Sequence, residues 1–288
     1  MQNLIPMSNP DVRLMSVVGS VELLRQAKEH GCPWTADTCA AIAVGGNLEV
    51  LKWARAQDPP CPWVADTILR IAASNGHLDV AKWLLEGEFC LWSWAVCAAA
   101  ASGGQLEALK WLRAENCPWD VMTCAAAAAG GYLDVIKWAR GQGAMWDEKA
   151  CAHAAAGGQL EALKWLRSEG CPWDEDTCAN AAEQAHLDIL EWAHENGAPW
   201  NEGVCAFAAF GGHLDVVKWL HEHGAPWHEQ TCAYAGWGGH LDLLKWARQH
   251  GCPWDAWTYK LADQEGHTEL VKWAQDNGCG QPPFKVYD

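Results

Sequence analysis

Along residues 171–197 the apolar and polar positions predict two short helices separated by a tight turn. Pro172 and Trp173 form a turn, Asp174 stands as a helix N-cap, and Glu175 and Asp176 occupy the first turn. Carboxylates suit that place because the first N–H groups are free and the dipole end is positive. A first helix of about nine Ala-rich residues follows, by the usual start and stop signals. The second helix, "HLDILEWAHEN", is closed by Gly197. In six units Gly-Gly separates the two helices, as at Gly211-Gly212 and Gly238-Gly239, where glycine is able to adopt a left-handed cap conformation. The expected architecture is all-α: helix, tight turn, helix, wide turn, repeated.

The period is carried by tryptophan. Trp119, Trp146, Trp173, Trp200, Trp227 and Trp254 are spaced by 27 residues, and Trp34, Trp63 and Trp92 continue the column upstream at spacings of 29. A second column in step with it holds Trp53, Trp83, Trp111, Trp138, Trp165, Trp192, Trp219, Trp246 and Trp273, so 18 of the 21 tryptophans belong to the repeat. Self-similarity at such a period predicts a solenoid whose units bury their apolar faces only against neighbours. The sequence divides into a degenerate capping repeat at 1–31, nine repeats at 32–276 and a tail at 277–288, expected to form one continuous domain. Asp58-Pro59-Pro60 adds two residues between units, so stacking is expected to be least regular between about 55 and 92.

"GGHLDVVKWLHEHGAPW" (Gly211 to Trp227) resembles the ankyrin repeat's G-H-L-E-V-V-K-L-L-L-x-x-G-A-D-V-N, with Trp219 where the family has Leu and Trp227 where it has the hairpin Val. Ankyrin units run to about 33 residues. The missing residues lie mainly where ankyrins carry a β-hairpin tip, and the family's T-P-L-H box is "TCA" here. The chain is thus similar to the short, hairpin-deleted, Trp/Cys-rich ankyrin-like repeats found in giant DNA viruses, algae and oomycetes. The resemblance covers about residues 32–279. It implies an ankyrin-like solenoid of about ten repeats, with hairpins reduced to Cys-Pro-Trp turns. It also implies a protein-binding role, with a host protein and the host cytoplasm as the setting for a viral source.

With the hairpin gone, the turn Trp is expected to act as a staple, because one buried aromatic covers roughly 150–250 Å². The fourteen cysteines fall in two repeat columns, one in the turn and one inside the next helix. Ala or Ile substitutes at these positions, which marks them as packing thiols, since free Cys behaves as a small hydrophobe. There is no C-x-x-C, so a zinc site is disfavoured.

Charge narrows the function further. Thirteen of the 20 Lys and Arg residues sit in the second helices, as Lys52, Lys110, Lys164 and Lys245 and then Arg three positions later. Acid early and base late suits the helix dipole and makes i,i+3 pairs, so the expectation is a solvated stripe. Net charge is −16, which repels nucleic acid and anionic lipid and steers in a basic protein. No apolar run reaches the roughly 18 residues of a membrane span, and "MQNLIPMSNP" lacks signal-peptide form. The expectation is a cytoplasmic protein, monomeric on its own, with no membrane or nucleic-acid partner.

No G-x-S-x-G, P-loop or H-E-x-x-H is present, so neither a catalytic site nor a cofactor is expected. His221, His223 and His228 are the densest titratable group, and equivalent residues elsewhere are ordinary polar ones, which argues against a metal site.

Function is sought where repeats differ. Counting from the helix-one Cys, the residues two and five on vary: Ala126 and Ala129, His153 and Ala156, Asn180 and Glu183, Phe207 and Phe210, Tyr234 and Trp237. Spacing of three puts each pair on one face, and stacking sets successive pairs side by side. Phe207, Phe210, Tyr234 and Trp237 are therefore expected to form one aromatic partner-binding patch, rimmed by His153, Asn180 and Glu183. Trp94 and Trp257, in the first turns of their helices, are further candidates. The alternative is a structural scaffold or assembly component held along its length.

Overall fold

The computed structural model describes residues 19–87, 89–90 and 92–279. Among the described residues there are 19 helices and no strand. The first helices of the units are α2 (Ala36–Val44), α4 (Ala65–Ser74), α6 (Trp94–Ser102), α8 (Val121–Ala129), α10 (Glu148–Ala156), α12 (Glu175–Glu183), α14 (Gly203–Phe210), α16 (Glu229–Trp237) and α18 (Ala256–Gln264). The second helices are α1 (Val21–Glu29), α3 (Leu48–Arg55), α5 (Leu78–Glu86), α7 (Leu106–Ala114), α9 (Leu133–Gly141), α11 (Leu160–Ser168), α13 (Leu187–Glu195), α15 (Leu214–Glu222), α17 (Leu241–Gln249) and α19 (Thr268–Asp276). The fold is all-α and built of repeated helix pairs, as the periodicity predicts, and ankyrin-like, as the resemblance implies. The first part of the N-terminal repeat (1–18) and most of the expected tail (280–288) lie outside the described residues.

The described residues divide into two compact units, those up to 127 with 134–144 and 128–133 with those from 145 onward. In the first, α2, α4 and α6 lie side by side, and in the second α10, α12, α14, α16 and α18 do, each packed on its own second helix. Close stacking needs small side chains. Cys205, Ala208 and Ala209 of α14 are fully buried, and the second helices supply bulk from Leu163, Leu190, Val217 and Leu220. Each such aliphatic side chain contributes about 1.5–3 kcal/mol when fully buried.

The tight turn explains its glycines. A Cβ on Gly238 would lie 2.6 Å from the Phe210 carbonyl oxygen of the preceding repeat, and Gly239 has φ +75° with the His267 ring 2.6 Å from its would-be Cβ. The first glycine therefore lets the neighbouring helix end approach, and the second supplies the left-handed cap. Ala185 stands in the second position of its unit and is held at φ 59°.

Across this turn runs a ladder that the repeat pattern does not announce. The residue opening each second helix is often His, and its Nε2 meets a carbonyl of the preceding repeat: His77 to Val44 at 2.9 Å, His213 to Glu183 at 2.8 Å, His240 to Phe210 at 2.9 Å, and His267 to Trp237 at 3.1 Å. The last helix-one carbonyls, which no intrahelical N–H reaches, are thereby paired.

At the wide turn, each turn Trp meets the second-helix Trp of its own unit. The nine pairs, from Trp34–Trp53 to Trp254–Trp273, have ring centroids 5.7–6.1 Å apart in tilted or edge-to-face arrangement. Each pair contributes about 0.5–1.5 kcal/mol beyond its buried area. All of these rings are half-buried, so the turn Trp is a staple. Phe89 packs 5.3 Å from Trp63 and 5.4 Å from Trp83, adding a third ring to the pair of this repeat.

The stripe of basic residues departs from expectation. Arg55, Arg113, Arg167 and Arg248 do not project into solvent: each guanidinium lies 4.1–4.4 Å from the centroid of the next turn Trp. Each also donates to the carbonyl of Cys61, Cys117, Cys171 or Cys252. His194 on Trp200 and His221 on Trp227 stack in the same place at 4.0 and 4.1 Å. A planar cation over indole is attracted by the ring's negative face, which a solvated stripe would forgo. Lys52, Lys110, Lys164 and Lys245 make the expected i,i+3 pairs, whereas Lys82 and Lys218 lie over the rings of Trp111 and Trp246.

Twelve of the fourteen cysteines are buried free thiols; Cys32 is exposed and Cys90 half-buried. Turn thiols donate across the repeat, Cys171 to the Asp147 carbonyl at 3.4 Å and Cys252 to that of His228 at 3.5 Å. Burial pushes the thiols of Cys178 and Cys205 up to about 12 and that of Cys124 up to about 11.

Candidate functional site

The aromatic patch is assembled by α14 and α16, which start at successive N-caps and lie side by side. Ring centroids are 6.1 Å apart for Phe207–Tyr234, 6.3 Å for Phe210–Tyr234, 4.9 Å for Phe210–Trp237 and 5.8 Å for Tyr234–Trp237. The four rings thus form one connected cluster with Tyr234 touching the other three. Phe207, Phe210 and Tyr234 are half-buried, and Trp237 keeps 40% of its surface exposed. Neighbouring helices carry His153 and Ala156, or Asn180 and Glu183, at the same positions, so the bulk is local to these two repeats.

The rim residues differ in what they leave available. Asn180 spends its amide on the carbonyl of Ala152, 3.3 Å away, and so ties α12 to α10. His153 and Glu183 are half-buried, and the Glu183 main chain accepts from His213.

Trp257 lies in the first turn of α18, 55% exposed, and the Lys260 ammonium sits 5.3 Å above its ring. It lines a cleft of about 240 Å³ with Tyr234, Leu261, Glu229 and Asp255. Through Tyr234 this cleft is continuous with the aromatic cluster. Glu229, Asp255 and Leu261 were not among the expected site residues. Glu229 opens α16 and Asp255 caps α18, and ordinary cap and first-turn positions look the same in sequence. Trp94, 48% exposed, stands apart from the cluster. It lines a shallow groove of about 470 Å³ with Thr67, Arg70, Ile71 and Ala98.

Among the described residues no three His, Cys, Asp or Glu side chains gather where they could hold a metal ion, and no helix is long and apolar enough to cross a membrane. His221 and His223 are instead spent in stacking, on Trp227 and Trp219.

A family profile described as ankyrin repeats (many copies) matches residues 205–247, the stretch that holds the aromatic cluster, and one described as ankyrin repeat matches residues 66–92. Both matches are to ankyrin repeats. Among solved structures, the chain is similar to the crystal structure of the human ASB11 ankyrin repeat domain. That similarity has 18% identity, spans 55% of this chain and 84% of that one, and has a TM-score of 0.42. No curated protein matches the chain in sequence. Ankyrin repeats in general mediate protein–protein interaction.

Proposed function

We propose that the chain is a non-catalytic protein-binding module that engages a protein through the helix-one surface of its C-terminal half. The observation that carries this reading is the connected cluster of Phe207, Phe210, Tyr234 and Trp237, with Trp237 40% exposed. Partner hot spots are enriched in Trp and Tyr set in packed surroundings and ringed by less critical contacts, and the half-buried rings of Phe210 and Tyr234 hold Trp237 in such a setting. Repeat function resides in side chains that vary between units, because the shared ones serve the stack. His153 and Glu183 border the surface, and a net charge of −16 favours a basic partner over nucleic acid or anionic membrane.

The test is affinity capture from source lysate with wild type and a Phe210→Ser/Trp237→Ser variant matched in circular dichroism and melting. Loss of one specific protein from the variant supports the reading. An unchanged partner set, lost only on truncation, transfers the function to a scaffold held along its length.

A further inference from the structure

The cleft bordered by Tyr234 and Trp257 has a composition that selects its occupant. It is lined by the aromatic residues Tyr234 and Trp257, the apolar Leu261 and Ala233, Gln230, and two acidic residues, Glu229 and Asp255. At about 240 Å³ it is smaller than the roughly 300–1,000 Å³ of sites for free small molecules, and it matches one long side chain supplied by a larger partner. The combination of an indole face with nearby oxygen acceptors already recurs in this fold. At Trp63, Trp119, Trp173 and Trp254 an arginine from the preceding repeat lies 4.1–4.4 Å from the ring centroid and donates to a carbonyl. Trp257 presents the same ring with carboxylates in place of carbonyls, and among the described residues the cation in contact with that ring is Lys260 of its own helix.

We propose that this cleft receives an arginine side chain of the bound protein, its guanidinium against Trp257 and paired with Glu229 and Asp255. The guanidinium is preferred to an ammonium because its plane stacks on indole while its edge offers donors in a fork that matches a carboxylate. Asp255 uses one oxygen to cap α18, accepting from the Trp257 N–H at 2.9 Å, and a carboxylate has acceptor capacity beyond that single bond. The proposal rests on the protein-binding reading and deepens it: a partner segment would set an apolar anchor on Trp237 and Phe210 and an arginine in the cleft, with Tyr234 between.

The experiment uses the full chain labelled with 5-fluorotryptophan, with the Trp257 fluorine resonance identified by its loss in Trp257→Phe. N-acetyl-arginine amide is titrated to about 10 mM, a range suited to a lone side chain, beside N-acetyl-glutamine amide. The expected result is a saturable shift of the Trp257 resonance with the arginine compound only. That shift should vanish in Glu229→Gln/Asp255→Asn, in which Asn still caps the helix, and strengthen in Lys260→Ala, which removes the competing cation. No Trp257 shift, an equal shift with the glutamine compound, or a shift that survives loss of both carboxylates overturns the proposal. If capture of a partner still depends on Phe210 and Trp237 while arginine leaves Trp257 unmoved, the arginine site falls and the protein-binding reading stands.

Discussion

The Arg167 guanidinium lies 4.1 Å from the centroid of the Trp173 ring and donates to the main-chain carbonyl of Cys171 two residues before it. One side chain thereby fastens the end of α11 to the wide turn that opens the next repeat. Removing it in Arg167→Ala should cost about 1–3 kcal/mol, combining a partly desolvated cation–π contact with a charge-assisted hydrogen bond. Arg167→His should cost less, because His194 and His221 stack on Trp200 and Trp227 from the same position. Urea unfolding of the two variants checks the order, and an Ala variant as stable as wild type would show that the contact contributes nothing.

Gly239 and Ala185 make opposite predictions about the same cap. Gly239→Ala combines φ +75° with a Cβ only 2.6 Å from His267, so it should destabilise by more than the roughly 1–2 kcal/mol of left-handed backbone alone. Ala185→Gly relieves φ 59° and should stabilise by about 1 kcal/mol. Thermal melts that shift in the same direction for both substitutions would contradict the assignment.

Thr177 is buried with no hydrogen-bond partner for its hydroxyl, and the turn of the following repeat offers Ala198 where others offer a thiol. An apolar replacement of the same shape removes an unpaired polar group at little packing cost. Thr177→Val is expected to be neutral or to stabilise by up to about 1 kcal/mol. A loss of that size in chemical denaturation would reveal a partner for the hydroxyl.

The buried thiols set an alkaline limit. Cys178 and Cys205 are raised to about 12 in the folded chain, whereas an unfolded thiol ionises near 9. A raised folded value means that stability is complete below pH 9 and falls as pH rises toward 12, since only the unfolded chain releases the proton. Each such thiol should cost about 1.4 kcal/mol at one pH unit above its unfolded value. Denaturation curves at pH 8 and pH 10 should therefore separate less in Cys178→Ala/Cys205→Ala than in wild type, and an equal separation would place the alkaline loss elsewhere.

Much of this architecture was legible because a repeat writes its contacts as periodicity. The Asp174 cap, the Gly-Gly turns, the Trp columns and the Phe207–Tyr234 neighbourhood all follow from one unit and a stacking rule. What the pattern concealed was partner choice between repeats. The arginines look like the far end of a solvated i,i+3 stripe, because spacing records neighbours within a helix and not the turn that the side chain reaches next. The histidines at positions 213, 240 and 267 look like ordinary polar residues, although the glycines they pack against were visible. For the site, adjacency of the four rings was readable, but the relative exposure of Tyr234 and Trp237 depends on how deep each position sits in the stack. The Trp257 cleft was hidden because Glu229 and Asp255 occupy the acid positions that any helix start favours.

The most direct test of the central claim is photocrosslinking in source lysate from p-benzoylphenylalanine placed at Trp237, with the exposed Glu169 beyond α11 as control position. One discrete protein should be joined through position 237, absent from position 169, and competed away by unlabelled wild-type chain but not by Phe210→Ser/Trp237→Ser. Equal products from both positions, or none from 237 while a partner is still captured, would contradict it.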